Sequence, residues 1–248
     1  MIDNYSVLRS HSMEVRYAEG DEAFAEDTSI ALKQAIISLS KFFCLKEPFP
    51  PIRAILAPNR SEYERLVINL LGVDIEIPSN PARVAQPQKT DMVFLSPSAY
   101  KHHSTYEYNP DEYRRLVFHE LTHVFEEYLT PDVETTPRWW SEGLAAYLSG
   151  QWKYEDQFRF RQPVLKGIKE KLIPDIKEIR ANTEICYDWG WTIVMFIKNT
   201  YGKEMILKIV RECDNGNVFG ILGEDFKNFE KRWQKWLLGN GKISINFA

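Results

Sequence analysis

Apolar residues recur along this chain with two periods, and the change from one to the other predicts its elements. From His11 to Tyr17 (HSMEVRY) they alternate as in a strand, and Glu19-Gly20-Asp21 supplies the following turn. From Asp21 to Phe43, the residues Phe24, Ala31, Ala35, Leu39 and Phe42 return at helical spacing with no Pro or Gly among them, which predicts one long helix. Glu47-Pro48-Phe49-Pro50-Pro51 stops any helix, and Ile52 to Ala57 (IRAILA) reads as a strand buried on both faces. Helical periodicity resumes from Asn59 to Leu71. Between Gly72 and Gln88 three prolines break both patterns, leaving Ala82 to Ala85 as an edge strand. Met92 to Ser96 (MVFLS) is a further short strand, and a polar loop from Tyr100 to Tyr108 follows.

Asn109 and Pro110 open the next helix as N-cap and first residue, with Glu112 placed for a capping box. Leu116, Phe118, Leu121, Val124, Phe125 and Tyr128 give it an apolar surface over much of its circumference, so its two histidines must face a cleft. Thr130-Pro131 ends it, and Thr136-Pro137 begins another by the same logic. Beyond Gly150 only helices are expected: Glu155 to Lys171, a segment opened by Pro174, Tyr187 to Thr200, Lys203 to Cys213, and Glu224 to Leu238. In the last of these Phe226, Phe229, Trp233, Trp236 and Leu237 form a helical stripe with Lys227, Lys231, Arg232 and Lys235 between them. The stripe reads as core-facing and the bases as a solvated face. The expected class is therefore α+β, with a mixed sheet in residues 1–150, a helical lobe in 151–248 and a soft boundary near Gly150.

Composition narrows the chemistry. A net charge of −4 gives no electrostatic reason to bind nucleic acid, and no run of about eighteen apolar residues suggests a membrane span. The start MIDNYSVLRSHSMEV lacks the basic and apolar regions of a signal peptide, so a soluble, cytoplasmic protein is expected, with secretion left open if a leader has been removed. The three cysteines, Cys44, Cys186 and Cys213, are odd in number and widely spaced, and are expected to be reduced core residues.

The chemistry gathers at His119-Glu120-Leu121-Thr122-His123. Residues four apart on a helix lie one above the other, so His119 and His123 can turn their imidazoles to one metal ion. A catalytic zinc usually takes three protein ligands. None of the five histidines follows His123, and Glu126 and Leu129 stand where one zincin pattern needs Gly and His, so a carboxylate is required. Glu142, in Trp139-Trp140-Ser141-Glu142-Gly143, follows His123 after eighteen residues, enough to finish one helix and enter the next. Gly143 beside it suggests a close helix approach.

HELTH followed by WWSEGLAAY resembles the gluzincin zinc metallopeptidases, most of all their compact peptidase MA-like families. The resemblance implies a zincin-like first lobe, Zn2+ held by His119, His123 and Glu142, and Glu120 as general base for peptide hydrolysis. The run Tyr187-Asp188-Trp189-Gly190-Trp191 is similar to a helix whose leading Tyr faces the zinc in such enzymes, which implies that Tyr187 meets the oxyanion; a core tyrosine is the alternative, and Tyr201 and Arg180 are other donors. Thermolysin-like relatives carry an Asp four residues after the third ligand, where this chain has Ala146, so the carboxylates behind the ligands must differ, with Glu126, Glu127 and Asp132 as candidates. A Gly-x-Met-Glu-Asn element of the large aminopeptidases is absent, favouring endopeptidase action. A peptide or protein substrate is expected to add as a strand along Ala82 to Ala85. His102 and His103 are read as exposed loop histidines and His11 as structural. The alternatives are a zinc-binding module of this fold without activity, and a metal-free helical adaptor; oligomeric state is left unassigned.

Overall fold

The computed structural model describes residues 5–153 and 159–239. The protein is α+β, and the chain divides into two compact units, Met1–Phe125 and Glu126–Ala248.

In the first unit, β1 (Ser6–Arg9) and β2 (Met13–Tyr17) form an antiparallel hairpin, and α1 (Glu22–Phe43) leads to β3 (Ile52–Ala57). Next come α2 (Arg60–Asn69), β4 (Ala85–Gln88) and β5 (Asp91–Leu95). The sheet order is β1-β2-β3-β5-β4, with β2, β3 and β5 parallel and each edge strand antiparallel to its neighbour. The parallel centre has the unbroken apolar residues that burial on both faces demands: Ala54, Ile55, Leu56 and Ala57 on β3 pair with Met92, Val93, Phe94 and Leu95 on β5, and all eight are buried. Helix α1 buries Ala25, Ala31, Leu32, Ala35, Leu39 and Phe43, and ends where Cys44 takes a left-handed conformation. After a 3-10 turn at Pro97–Ala99 and the short α3 (Tyr100–His103), α4 (Pro110–Leu129) begins as expected: the Asn109 side chain accepts from the backbone N–H of Asp111 and Glu112. The Glu112 carboxylate takes Arg115 as a partner. The division between the units falls inside α4.

The second unit contains α5 (Arg138–Ser149), α6 (Arg161–Glu170), α7 (Ile176–Ala181), α8 (Thr183–Tyr201), α9 (Lys203–Glu212), α10 (Val218–Leu222) and α11 (Phe226–Gly239). Gly150, where the sequence suggests a boundary, ends α5 at φ 73. Asp175 and Glu178 close a capping box on α7, and the Asn182 side chain caps α8. On α11, Phe229, Trp233 and Leu237 are buried, while Lys227, Lys231, Arg232 and Lys235 are exposed. The part of the expected Glu155 to Lys171 helix at 155–158 lies outside the described residues.

Several expectations are corrected. The hairpin partner β1 is additional, and exposed His11 lies in the turn before β2 rather than on a strand. The edge strand begins at Ala85 instead of ending there, with Arg83 hydrogen-bonded back to Asn80 in a turn. Pro137, one residue later than expected, is the N-cap of α5. Helix α8 starts at Thr183, so Tyr187 is in its second turn and not at its head. On α4 the apolar face runs through Tyr113, Val117, Leu121, Val124 and Phe125, while Tyr128 is 55% exposed. Cys44 is exposed, whereas Cys186 and Cys213 are buried and, like Cys44, carry free thiols. No helix among the described residues is long and apolar enough to cross a membrane.

Candidate metal centre

The α4 register that sends Val117, Leu121 and Val124 into the core leaves His119 and His123 one turn apart on another face. Their Nε2 atoms stand 3.2 Å apart and their rings are nearly perpendicular, at 76°. That separation suits one N–H···N hydrogen bond between neutral rings. It also suits a shared metal, since two nitrogens each about 2.0–2.1 Å from a tetrahedral zinc lie about 3.3 Å apart. His119 is 6% exposed. Glu120 follows it on the helix, half-buried, and its charge is felt at the hydroxyls of Tyr63 and Tyr100, whose pKa values are raised first by burial and further by this carboxylate. Both hydroxyls are buried, and neither has a hydrogen-bond partner among the described residues.

Glu142 is built by a different device. Helices α5 and α8 approach until Gly143 and Gly190 touch: a Cβ on Gly143 would lie 2.5 Å from the Gly190 carbonyl carbon, and one on Gly190 would lie 2.5 Å from the Trp139 carbonyl oxygen. Only glycine fits at either position, as the sequence suggests for Gly143. The contact brings the residue before Gly143 to the residue three before Gly190, and the Tyr187 hydroxyl donates to Glu142 Oε1 at 2.6 Å. Arg138, one turn before Glu142, sets Nη2 3.4 Å from the Tyr187 oxygen and Nε 3.8 Å from Glu142 Oε1. The Arg138 and Arg159 guanidinium carbons stand 5.6 and 5.9 Å from the centre of the Tyr187 ring. Burial first, and then the Glu142 charge, raises the Tyr187 pKa, so the phenol keeps its proton at neutral pH. Ser141, beside Glu142, donates its hydroxyl to the carboxylate of Glu126, which is 1% exposed.

Among the described residues, His119, His123 and Glu142 are the one group of three or more histidine, cysteine or acidic side chains placed to hold a metal, with one donor atom from each within 4.8 Å of the other two. Two imidazoles and a carboxylate are a donor set that zinc accepts, so these residues fit the ion. Of the acids considered behind the ligands, Glu126 is tied to Ser141, and Asp132 accepts from Thr135. His102 is exposed, and the His103 carbonyl accepts from Arg60. The Tyr201 hydroxyl is engaged by Glu224 and Arg232, and Arg180 is exposed. Sequence reasoning missed Arg138, whose signal was its place four residues before a candidate ligand. Compared with known proteins, the chain matches no family model and no curated protein.

Proposed function

We propose that this chain is a zinc-dependent peptidase of the gluzincin kind, with His119, His123 and Glu142 as ligands and Glu120 as general base. The observation that carries the reading is the gathering of one donor atom from each of the three candidate ligands within 4.8 Å. The mixed sheet preceding the His119 helix supports a zincin-like reading of the first unit.

Zinc held by these side chains supplies a Lewis acid that polarises a peptide carbonyl and lowers the pKa of water to about 7. Glu120, adjacent to His119, takes a proton from the attacking water on its carboxylate and passes it to the leaving amine. The substrate is a peptide or protein, cut internally. It adds as a strand beside β4, whose other edge is already paired to β5.

Elemental analysis of purified protein, followed by digestion of a mixed peptide library, tests the reading. One zinc per chain and cleavage that falls by about 10²-fold or more in Glu120→Gln are expected. Cleavage unchanged in Glu120→Gln would remove the proposed base, a zinc-loaded protein without cleavage would leave a binding module, and a protein that takes up no zinc would remove the site.

A further inference from the structure

We infer that Tyr187 is the positioning residue for Glu142: its hydroxyl holds Oε1 and so presents the carboxylate to a divalent metal through Oε2. The inference rests on the proposed zinc site and goes beyond it by assigning what prepares the third ligand.

A glutamate has three side-chain torsions, and ordering them only when the metal arrives would oppose binding. A hydrogen bond from a neighbour that the fold holds in place supplies that order. The 2.6 Å bond from Tyr187 to Oε1 lies within the range of about 2.5–2.7 Å for a hydroxyl donating to a carboxylate. The backbone contact between Gly143 and Gly190 fixes the two helices that carry the partners. Arg138 approaches the same oxygen and the phenol, so the guanidinium and the hydroxyl both lie on the Oε1 side. A phenol poised for an oxyanion would instead aim its proton at substrate, and a phenol has a single proton to give.

The experiment measures zinc affinity by competition with a chromophoric chelator in wild type, Tyr187→Phe, Glu142→Ala and the double variant, with thermal melting of each metal-free protein alongside. Tyr187→Phe should weaken zinc binding about 10–100-fold, the range for partners that orient metal ligands, while the metal-free protein melts within a few degrees of wild type. In the Glu142→Ala background the same substitution should change affinity less than about threefold, because the side chain it positions is gone. Peptide turnover by Tyr187→Phe should return towards wild type when zinc is raised to saturation. Unchanged zinc affinity, an equal loss in both backgrounds, a turnover deficit that persists at saturating zinc, or a Tyr187→Phe protein that does not fold would each overturn the inference. Wild-type protein that binds no zinc removes the proposed function first, and this inference with it.

Discussion

Gly143 of α5 and Gly190 of α8 meet backbone to backbone, so closely that a single methyl group on Gly143 would stand 2.5 Å from the Gly190 carbonyl carbon. The meeting fixes how Glu142 and Tyr187 face one another, and it opposes the ordinary effect of glycine in a helix. Elsewhere, Gly→Ala in a helix interior gains up to about 1 kcal/mol of stability. Here Gly143→Ala should instead lose about 1–3 kcal/mol net through overpacking, since the obstructing atoms are backbone and cannot swing aside. Gly239→Ala, on the last turn of α11 with nothing among the described residues within 4 Å of the new carbon, serves as the control. Urea unfolding reads both, and a Gly143→Ala midpoint equal to wild type would contradict the close approach.

The three candidate ligands should not be equal to their neighbours in holding zinc. Glu142→Ala removes a donor and should weaken zinc binding beyond the roughly 100-fold upper range for residues that merely orient ligands. Glu120→Gln leaves all three donors in place and should stay within about threefold of wild type, because the amide differs from the carboxylate in charge and proton acceptance more than in size. Chelator competition separates them, and near-equal affinities would reassign the third ligand.

The thiols should react at very different rates. Cys44 is exposed, whereas Cys186 is 2% exposed and its pKa is pushed up to about 12, first by burial and then by the Glu142 charge. The reactive form is the thiolate, so raising the pH from 7 to 9 leaves Cys186 protonated. Titration of native protein with an aromatic disulfide reagent should show one fast thiol, lost in Cys44→Ser, and two more only on denaturation. Rapid modification of all three in native protein would contradict the burial.

Glu62 offers a pH signature that does not involve the candidate ligands. Its carboxylate accepts two bonds from Arg65 at 2.7 Å and one from Tyr5 at 2.9 Å. The Arg65 bonds, aided by Tyr5 and opposed by burial, hold it below the usual carboxylate range. A depressed folded value means that the stabilisation is fully present above the unfolded pKa of about 4.3 and is lost as the pH falls through the folded value. Glu62→Gln should therefore be less stable than wild type at pH 7 by about 0.5–1 kcal/mol, with the gap narrowing below about pH 4 and closing in stronger acid. Denaturation across pH measures the gap, and a deficit independent of pH would assign it to packing.

Strands that lie in the middle of a parallel sheet are legible because burial on both faces demands a nearly continuous apolar run, as in residues 54–57 of IRAILA and 92–95 of MVFLS. The edges carry no such demand. β1 is largely exposed and has no alternation to read, and β4 contains Pro87, which an edge tolerates because its missing N–H is not needed by a second neighbour. The spacing of His119 to His123 is a local helical relation and can be read directly. Glu142 was legible as a carboxylate at a suggestive distance, and Gly143 as a residue that clears space. What Gly143 makes room for was hidden, because the partner Gly190 lies 47 positions away and only the crossing of α5 and α8 joins them. The same crossing gives Tyr187 its carboxylate partner, which no local period encodes.

The sheet order also sets a schedule for folding. β1 and β2 join across a three-residue turn, from Ser10 to Ser12, a closure that takes about 1–10 μs in isolated hairpins. The pairing of Met13 with Ile52, and that of Ala54 with Met92, each closes a loop of nearly forty residues before any ladder bond rewards it. The hairpin at one margin therefore forms early, while the strands that end most deeply buried wait for the helices between them to draw their ends together. During that interval the two central apolar segments, IRAILA and DMVFL, are uncovered, so dilution and low temperature should favour recovery of native protein over aggregation on refolding.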